Sequence, residues 1–214
     1  MRLVLPRLYV ILDSALLTVP AQDCAQELAD AGVRVLQFRG KTEHALNLLN
    51  TSRKLASLLI PMGVTFIVND RPGIAIMAEA SGVHVGQEDL DVETTRGLVG
   101  SEKLIGVSTH NLEQFREAAA TSADYIAVGP VFTTSSKANP DPVIGTEFIR
   151  RMRDLSDKPI VAIGGIALEN AASVIEAGAD CVAVISDILR APDRGLRAKR
   201  YLETLGAANH SATA

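Results

Sequence analysis

The sequence has no tryptophan, only 4% aromatic residues, two cysteines and four histidines. Two cysteines are too few for a disulfide framework. Cys24 falls in a helical pattern and Cys181 in a strand pattern, where small thiols pack as apolar side chains. No His/Cys spacing of a transition-metal site occurs. No Ser or Cys is spaced from a histidine in a way that argues for nucleophilic catalysis. No apolar run approaches about 18 residues, which argues against a membrane-spanning helix. The opening MRLVLPRLYVILD is not read as a signal peptide, because Pro6, Arg7 and Asp13 interrupt it and no clean cleavage site follows. Basic charge is not in excess either: the net charge of −4 argues against a broad nucleic-acid footprint. The expectation is a cytoplasmic protein with neither nucleic acid nor membrane as partner.

What the chain does have is Ala, Val, Ile and Leu, which make up most of its 47% apolar content and suit parallel strands buried under helices. Short apolar runs predict strands over 8–12, 35–38, 65–68, 83–85, 104–107, 125–128, 160–163 and 181–185. Helical periodicity predicts helices over 24–31, 44–59, 71–80, 92–99, 112–121, 147–155, 169–177 and 194–205. Asp91 and Asn111 are placed to cap two of these helices, and Gly32 and Gly178 to end two others. The alternation predicts a single-domain (β/α)8 barrel over 1–206, followed by a frayed tail over 207–214. A doubly wound open sheet is the alternative. The loop over 129–144 is long and rich in Ser, Thr and Pro, as functional lids are.

Active sites of such barrels lie at the C-terminal ends of the strands, and nearly every predicted strand here ends in polar residues. Gln37, Arg39 and Lys41 alternate, which places them on one side of an extended segment. Facing the barrel axis, the two cations either call for an anionic partner, for which a diphosphate suits an Arg fork beside a mobile Lys, or form a solvated strand end that is merely basic. Asn69 and Asp70 either cap the following helix or face a ligand. Gln87, Glu88 and Asp89 come one unit further round, and Asp70 with Asp89 suits Mg²⁺ completed by water and phosphate oxygens. His84, within a strand, reads as a packed core residue, and His44 and His110 as exposed.

Ser108 either donates to an anion or starts a turn. Thr133, Thr134, Ser135, Ser136 and Lys137 form either a phosphate clamp or a solvated loop. Gly164 and Gly165 allow close backbone approach to a ligand or merely a tight turn. Ser186 follows the last strand, and the loops after strands seven and eight recurrently hold phosphate in this barrel class. Arg150, Arg151, Arg153, Arg197, Lys199 and Arg200 read as solvated helix faces.

Taken in order, VLQFRGK, VNDRPGIA, GVHVGQEDL, IGVSTHN, DYIAVGPVFTTSSK, VAIGGI and VAVIS closely resemble the thiamine-phosphate synthase family over roughly residues 8–188. The resemblance implies a transferase that joins hydroxymethylpyrimidine diphosphate to hydroxyethylthiazole phosphate, or to its carboxylated form, releasing diphosphate with Mg²⁺ assistance. It implies that Arg39, Lys41, Asn69, Ser108 and Lys137 hold the diphosphate, with Arg39, Lys41, Lys137 and Ser108 taking the catalytic roles. Asp70 and Asp89 are implied to bind Mg²⁺, and Gln37 to contact the pyrimidine. Thr134, Ser136, Gly165, Ile185 and Ser186 are implied to line the thiazole-phosphate side. Thr133 stands where the family commonly has Pro, and Ser136 where it commonly has Thr. A homo-oligomer is compatible with this reading. Two rival readings are a thiazole tautomerase on the same barrel and a non-catalytic ligand sensor. Neither needs the full set of Gln37, Arg39, Lys41, Asp70, Asp89 and Lys137.

Overall fold

The computed structural model describes residues 3–134 and 141–211, and strand alternates with helix throughout them. The strands are β1 (Leu8–Asp13), β2 (Val35–Arg39), β3 (Thr65–Asn69), β4 (Gly82–Val85), β5 (Leu104–Thr109), β6 (Tyr125–Val128), β7 (Ile160–Ile163) and β8 (Cys181–Val184). The helices are α1 (Ala21–Asp30), α2 (Ala45–Leu59), α3 (Pro72–Met77), α4 (Val92–Val99), α5 (Leu112–Ala120), α6 (Gly145–Arg153), α7 (Leu168–Glu176), α8 (Ser186–Leu189) and α9 (Arg194–Ser211). Every strand pairs in parallel with its sequence neighbour, and β8 returns to β1, closing a single eight-stranded barrel. Closure settles the choice against an open doubly wound sheet.

The continuous apolar runs follow from burial on both strand faces. Successive side chains point to opposite sides of a strand. Leu8, Val10 and Leu12 of β1, with Leu36 and Phe38 of β2, pack outward into the helices as part of one large core. Tyr9, Ile11, Val35, Ile67, Tyr125, Val161 and Cys181 point inward and fill the barrel. The residues that build the mouth continue this inward parity.

Local signals place the helix ends. The Asp91 side chain accepts from the Thr94 backbone N–H at 2.8 Å, and Asn111 accepts from that of Gln114 at 3.0 Å. Gly32 and Gly178, with φ of 104° and 105°, end α1 and α7. Both cysteines are free and buried, and burial pushes the Cys24 thiol up to about 11.

Two arginines read as solvated are not. Arg153 donates to Asp180 at 2.7 Å and to the Lys158 carbonyl at 2.9 Å, stapling α6 to the β7 and β8 entrances. Arg197 grips Asp187 through two bonds of 2.9 Å, while Tyr201 donates to the same carboxylate at 2.6 Å. That cluster ties the short helix α8 to α9, which runs past Gly206 to Ser211. Among the described residues, no helix is long and apolar enough to cross a membrane.

Candidate active site

Closing the barrel brings the strand ends together around one mouth. Gln37 and Arg39 lie on the inward parity of β2, and Lys41 stands in the turn just past its end. Arg39 donates to Asp13, its direct partner in the β1–β2 register, and both side chains are largely buried. A buried guanidinium needs a counter-charge, and Asp13 provides it while orienting the fork. In the sequence Asp13 reads only as a break in the N-terminal apolar run, not as a site residue. Its signal is parity: Tyr9, Ile11 and Asp13 share the inward face.

A second charge cluster sits beside the first. Lys41 Nζ is 3.6 Å from Asp70 Oδ2. Asp70 has a left-handed backbone, φ 61°, which Asp tolerates better than most residues. Its N–H donates to the His84 carbonyl at 2.8 Å. Asp89 accepts from the Gly86 N–H at 2.7 Å and interacts directly with Asp70. Burial, then the Asp89 carboxylate, hold Asp70 up at about 6 against the pull of Lys41 and Arg39. Two half-buried carboxylates in contact repel, and a cation or a shared proton relieves them. Of the two roles read for Asp70, the helix cap is not formed, since α3 is capped at Arg71 without a side-chain hydrogen bond; the Asp70 side chain belongs to this acidic pair.

Beneath the mouth, a line of hydrogen bonds crosses the barrel. Gln37 Nε2 donates to the Tyr9 hydroxyl at 2.7 Å, and the hydroxyls of Tyr9 and Tyr125 are 3.1 Å apart. The Tyr125 hydroxyl is 3.1 Å from His84 Nδ1, and His84 Nε2 is 2.8 Å from Ser108 Oγ. Burial pushes His84 down to about 4, so it is neutral near pH 7. His84 is thus packed in the core, as its strand position suggests, yet it touches a candidate site residue. Asn69 ends β3 directly beside His84 in the register.

The opposite rim is built by the loops after β6, β7 and β8. Val131 N–H donates to the Ile163 carbonyl and Phe132 N–H to the Gly164 carbonyl, each at 2.9 Å, which lays the start of the long loop across the end of β7. Gly164 and Gly165 have φ of 98° and 64°, and a Cβ on Gly165 would lie 2.4 Å from the Thr133 carbonyl. Both glycines are thus required by this loop crossing. His110, expected in solvent, is half-buried: Nδ1 is 2.6 Å from the Gly129 carbonyl and Nε2 is 3.6 Å from Asp141. It fastens the long loop to the end of β5. Ile185, half-buried, precedes α8, and Ser186 is the first residue of that helix. Thr134 is half-buried on the loop, whereas Ser135, Ser136 and Lys137 lie outside the described residues.

Residues 8–188 match the model of a family described as thiamine monophosphate synthase. The chain belongs to that family. A thiamine-phosphate synthase of Koribacter versatilis is 48% identical over 208 residues, covering 94% of this chain and 96% of that protein. One from Geobacillus kaustophilus is 43% identical, with 94% and 92% covered. The solved thiamine phosphate pyrophosphorylase of Pyrococcus furiosus superposes with a TM-score of 0.86 at 30% identity, covering 95% and 96% of the two chains. As a member of the thiamine monophosphate synthase family, the chain is a transferase of thiamine biosynthesis. The structure brings Asp13, Tyr9, Tyr125 and His84 into contact with candidate residues read from the sequence, Arg39, Gln37 and Ser108.

Proposed function

We propose that this transferase joins a hydroxymethylpyrimidine diphosphate to a hydroxyethylthiazole phosphate, giving thiamine phosphate and diphosphate. The observation that carries the reading is the juxtaposition of Arg39 and Lys41 with the Asp70–Asp89 pair at one barrel mouth. Cations beside paired carboxylates suit a diphosphate–metal complex better than either group alone. Mg²⁺ fits Asp70 and Asp89, because a divalent cation relieves their repulsion and two carboxylates leave coordination positions for water and diphosphate oxygens. When bound, it would supply positive charge to the departing diphosphate.

The chain's own residues do the rest. Gln37 faces the pyrimidine. Arg39, Lys41, Asn69 and Ser108 address the diphosphate, joined by Lys137 through family resemblance. The pyrimidine methylene–oxygen bond breaks with its electron pair leaving on the diphosphate, and the thiazole nitrogen lone pair forms the new carbon–nitrogen bond. Negative charge grows on the leaving group, so donors aimed at it lower the barrier. No protein nucleophile takes part. Gly165, Ile185 and Ser186, with Thr134 and with Ser136 by resemblance, line the thiazole-phosphate side, where such barrels recurrently hold phosphate. The protein is assigned to the cytoplasm, with these two small molecules as its partners.

Turnover with both substrates and Mg²⁺, each omitted in turn and products read by mass spectrometry, tests this reading. Thiamine phosphate is expected only from the complete mixture. Isomerisation of a thiazole phosphate without pyrimidine diphosphate would instead favour the tautomerase reading.

A further inference from the structure

The line of hydrogen bonds under the mouth has a direction. Gln37 Nε2 donates to the Tyr9 oxygen, and Tyr9 is fully buried. The single hydroxyl hydrogen of Tyr9 then needs an acceptor, and the Tyr125 oxygen at 3.1 Å supplies it. Were Tyr125 to donate to Tyr9 instead, Tyr9 would accept twice and bury its own hydrogen unpaired. Tyr125, now an acceptor, places its hydrogen on His84 Nδ1, 3.1 Å away. A neutral imidazole whose Nδ1 accepts carries its proton on Nε2, and Nε2 meets Ser108 Oγ at 2.8 Å. Ser108 therefore accepts from below, and its hydroxyl hydrogen turns elsewhere.

The geometry points to a relay in which Gln37, through Tyr9, Tyr125 and His84, fixes Ser108 as a hydrogen-bond donor toward an anionic phosphate oxygen at the mouth. The identity of that anion rests on the diphosphate site proposed above; the direction of the relay does not. In the reverse direction the Ser108 hydrogen would point down into His84, and oxygen lone pairs would meet the anion. Tyr9, Tyr125 and His84 are thus positioning residues, acting through Ser108 and Gln37.

The sequence makes room for this arrangement. Gly106 of β5 stands opposite Tyr125 in the register, and a Cβ there would lie 2.1 Å from Tyr125 Cζ. Only a residue without a side chain lets the ring cross the interior to reach both Tyr9 and His84. The ring packs on that of His84 with centroids 5.6 Å apart and planes 29° from parallel, and meets Tyr9 edge-on at 6.2 Å.

The tautomer of His84 is the decisive observable. Long-range proton–nitrogen NMR correlations on the full chain with nitrogen-labelled histidine, near pH 7, should show His84 protonated on Nε2 and bare on Nδ1. The resonance is assigned by its loss in His84→Asn or, should that variant not fold, by its persistence when the other three histidines are replaced by Gln. An Nδ1-protonated ring, a mixture of tautomers or a charged imidazolium would overturn the relay. Tyr125→Phe keeps the ring and removes the hydroxyl; it should weaken binding of inorganic diphosphate roughly tenfold, the scale of one charge-assisted hydrogen bond. Its KM for thiazole phosphate should change less than about twofold. Unchanged diphosphate affinity would also overturn the relay, and Tyr9→Phe gives the same readout if Tyr125→Phe fails to fold. The NMR measurement needs no turnover: an inactive enzyme with Nε2-protonated His84 would contradict the functional reading and leave the relay standing.

Discussion

Lys41 Nζ lies 3.6 Å from Asp70 Oδ2, so the cation just past β2 is tethered to the carboxylate that burial, and then Asp89, hold up at about 6. The basic and acidic halves of the mouth are one electrostatic unit. Asp70→Asn and Asp89→Asn should each raise the Mg²⁺ concentration for half-maximal activity by roughly tenfold or more while leaving the barrel folded. A proton on Asp70 competes with the cation, so the apparent Mg²⁺ affinity should fall as pH drops through about 6. Activity titrations with Mg²⁺ at several pH values, with circular dichroism as the folding control, check both outcomes. A double Asn variant fully active at limiting Mg²⁺ would remove the metal role.

Arg39 and Asp13 form a largely buried pair, so truncating Arg39 acts on stability as well as chemistry. Arg39→Ala should cost about 3–5 kcal/mol, because it leaves the Asp13 carboxylate buried and unpaired. Asp13→Asn/Arg39→Gln should recover much of that stability, since neither side chain then carries charge. Diphosphate release in a single turnover should stay slow in both variants, as charge stabilisation is strongest in the transition state. Denaturant unfolding and rapid-quench assays separate the two effects. Recovery of rate along with stability would show that Arg39 acts only as a structural partner of Asp13.

Ser186, at the start of α8, is assigned to the thiazole phosphate. Ser186→Ala should weaken that substrate by ~1.5–3 kcal/mol if a charged hydrogen bond is lost, with little change in pyrimidine diphosphate KM. Steady-state kinetics with each substrate varied separately provide the check. A selective loss of pyrimidine diphosphate affinity would mean that the two substrates must exchange places.

His84 sets an acid limit on stability. Its folded pKa, depressed to about 4 by burial, lies below the unfolded value of 6.5. The unfolded chain binds the proton more readily between those values, so the stability from neutral His84 is complete above pH 6.5 and falls by about 3 kcal/mol toward pH 4. Asp70, raised to about 6, works in the opposite sense over a similar window. The pH profile of wild type minus that of His84→Gln isolates the histidine. A flat difference between pH 6.5 and 4 would mean that His84 titrates freely in the folded protein.

The fold was legible because both strand faces are buried, so each strand appears as a short apolar run, and Asp91 and Asn111 mark helix starts at the positions they occupy. The site was half legible. Gln37, Arg39, Asn69, Asp70, Asp89 and Ser108 stand out as polar groups at or just beyond strand ends. Asp13, Tyr9 and Tyr125 did not, because their partners come from other strands and meet them only once the barrel closes. His110 read as exposed because the Gly129 carbonyl and Asp141 that it meets come from another part of the chain. Gly165 read as either a ligand contact or a tight turn; its φ of 64° and its closeness to Thr133 account for the turn, and its place on the thiazole-phosphate side stays a proposal.

The most direct measurement is a single turnover with enzyme in excess over radiolabelled pyrimidine diphosphate, in the presence of thiazole phosphate and Mg²⁺. Diphosphate and thiamine phosphate should accumulate in equal amounts. Diphosphate release without thiamine phosphate, or no consumption of the pyrimidine diphosphate at all, would contradict the proposed transfer.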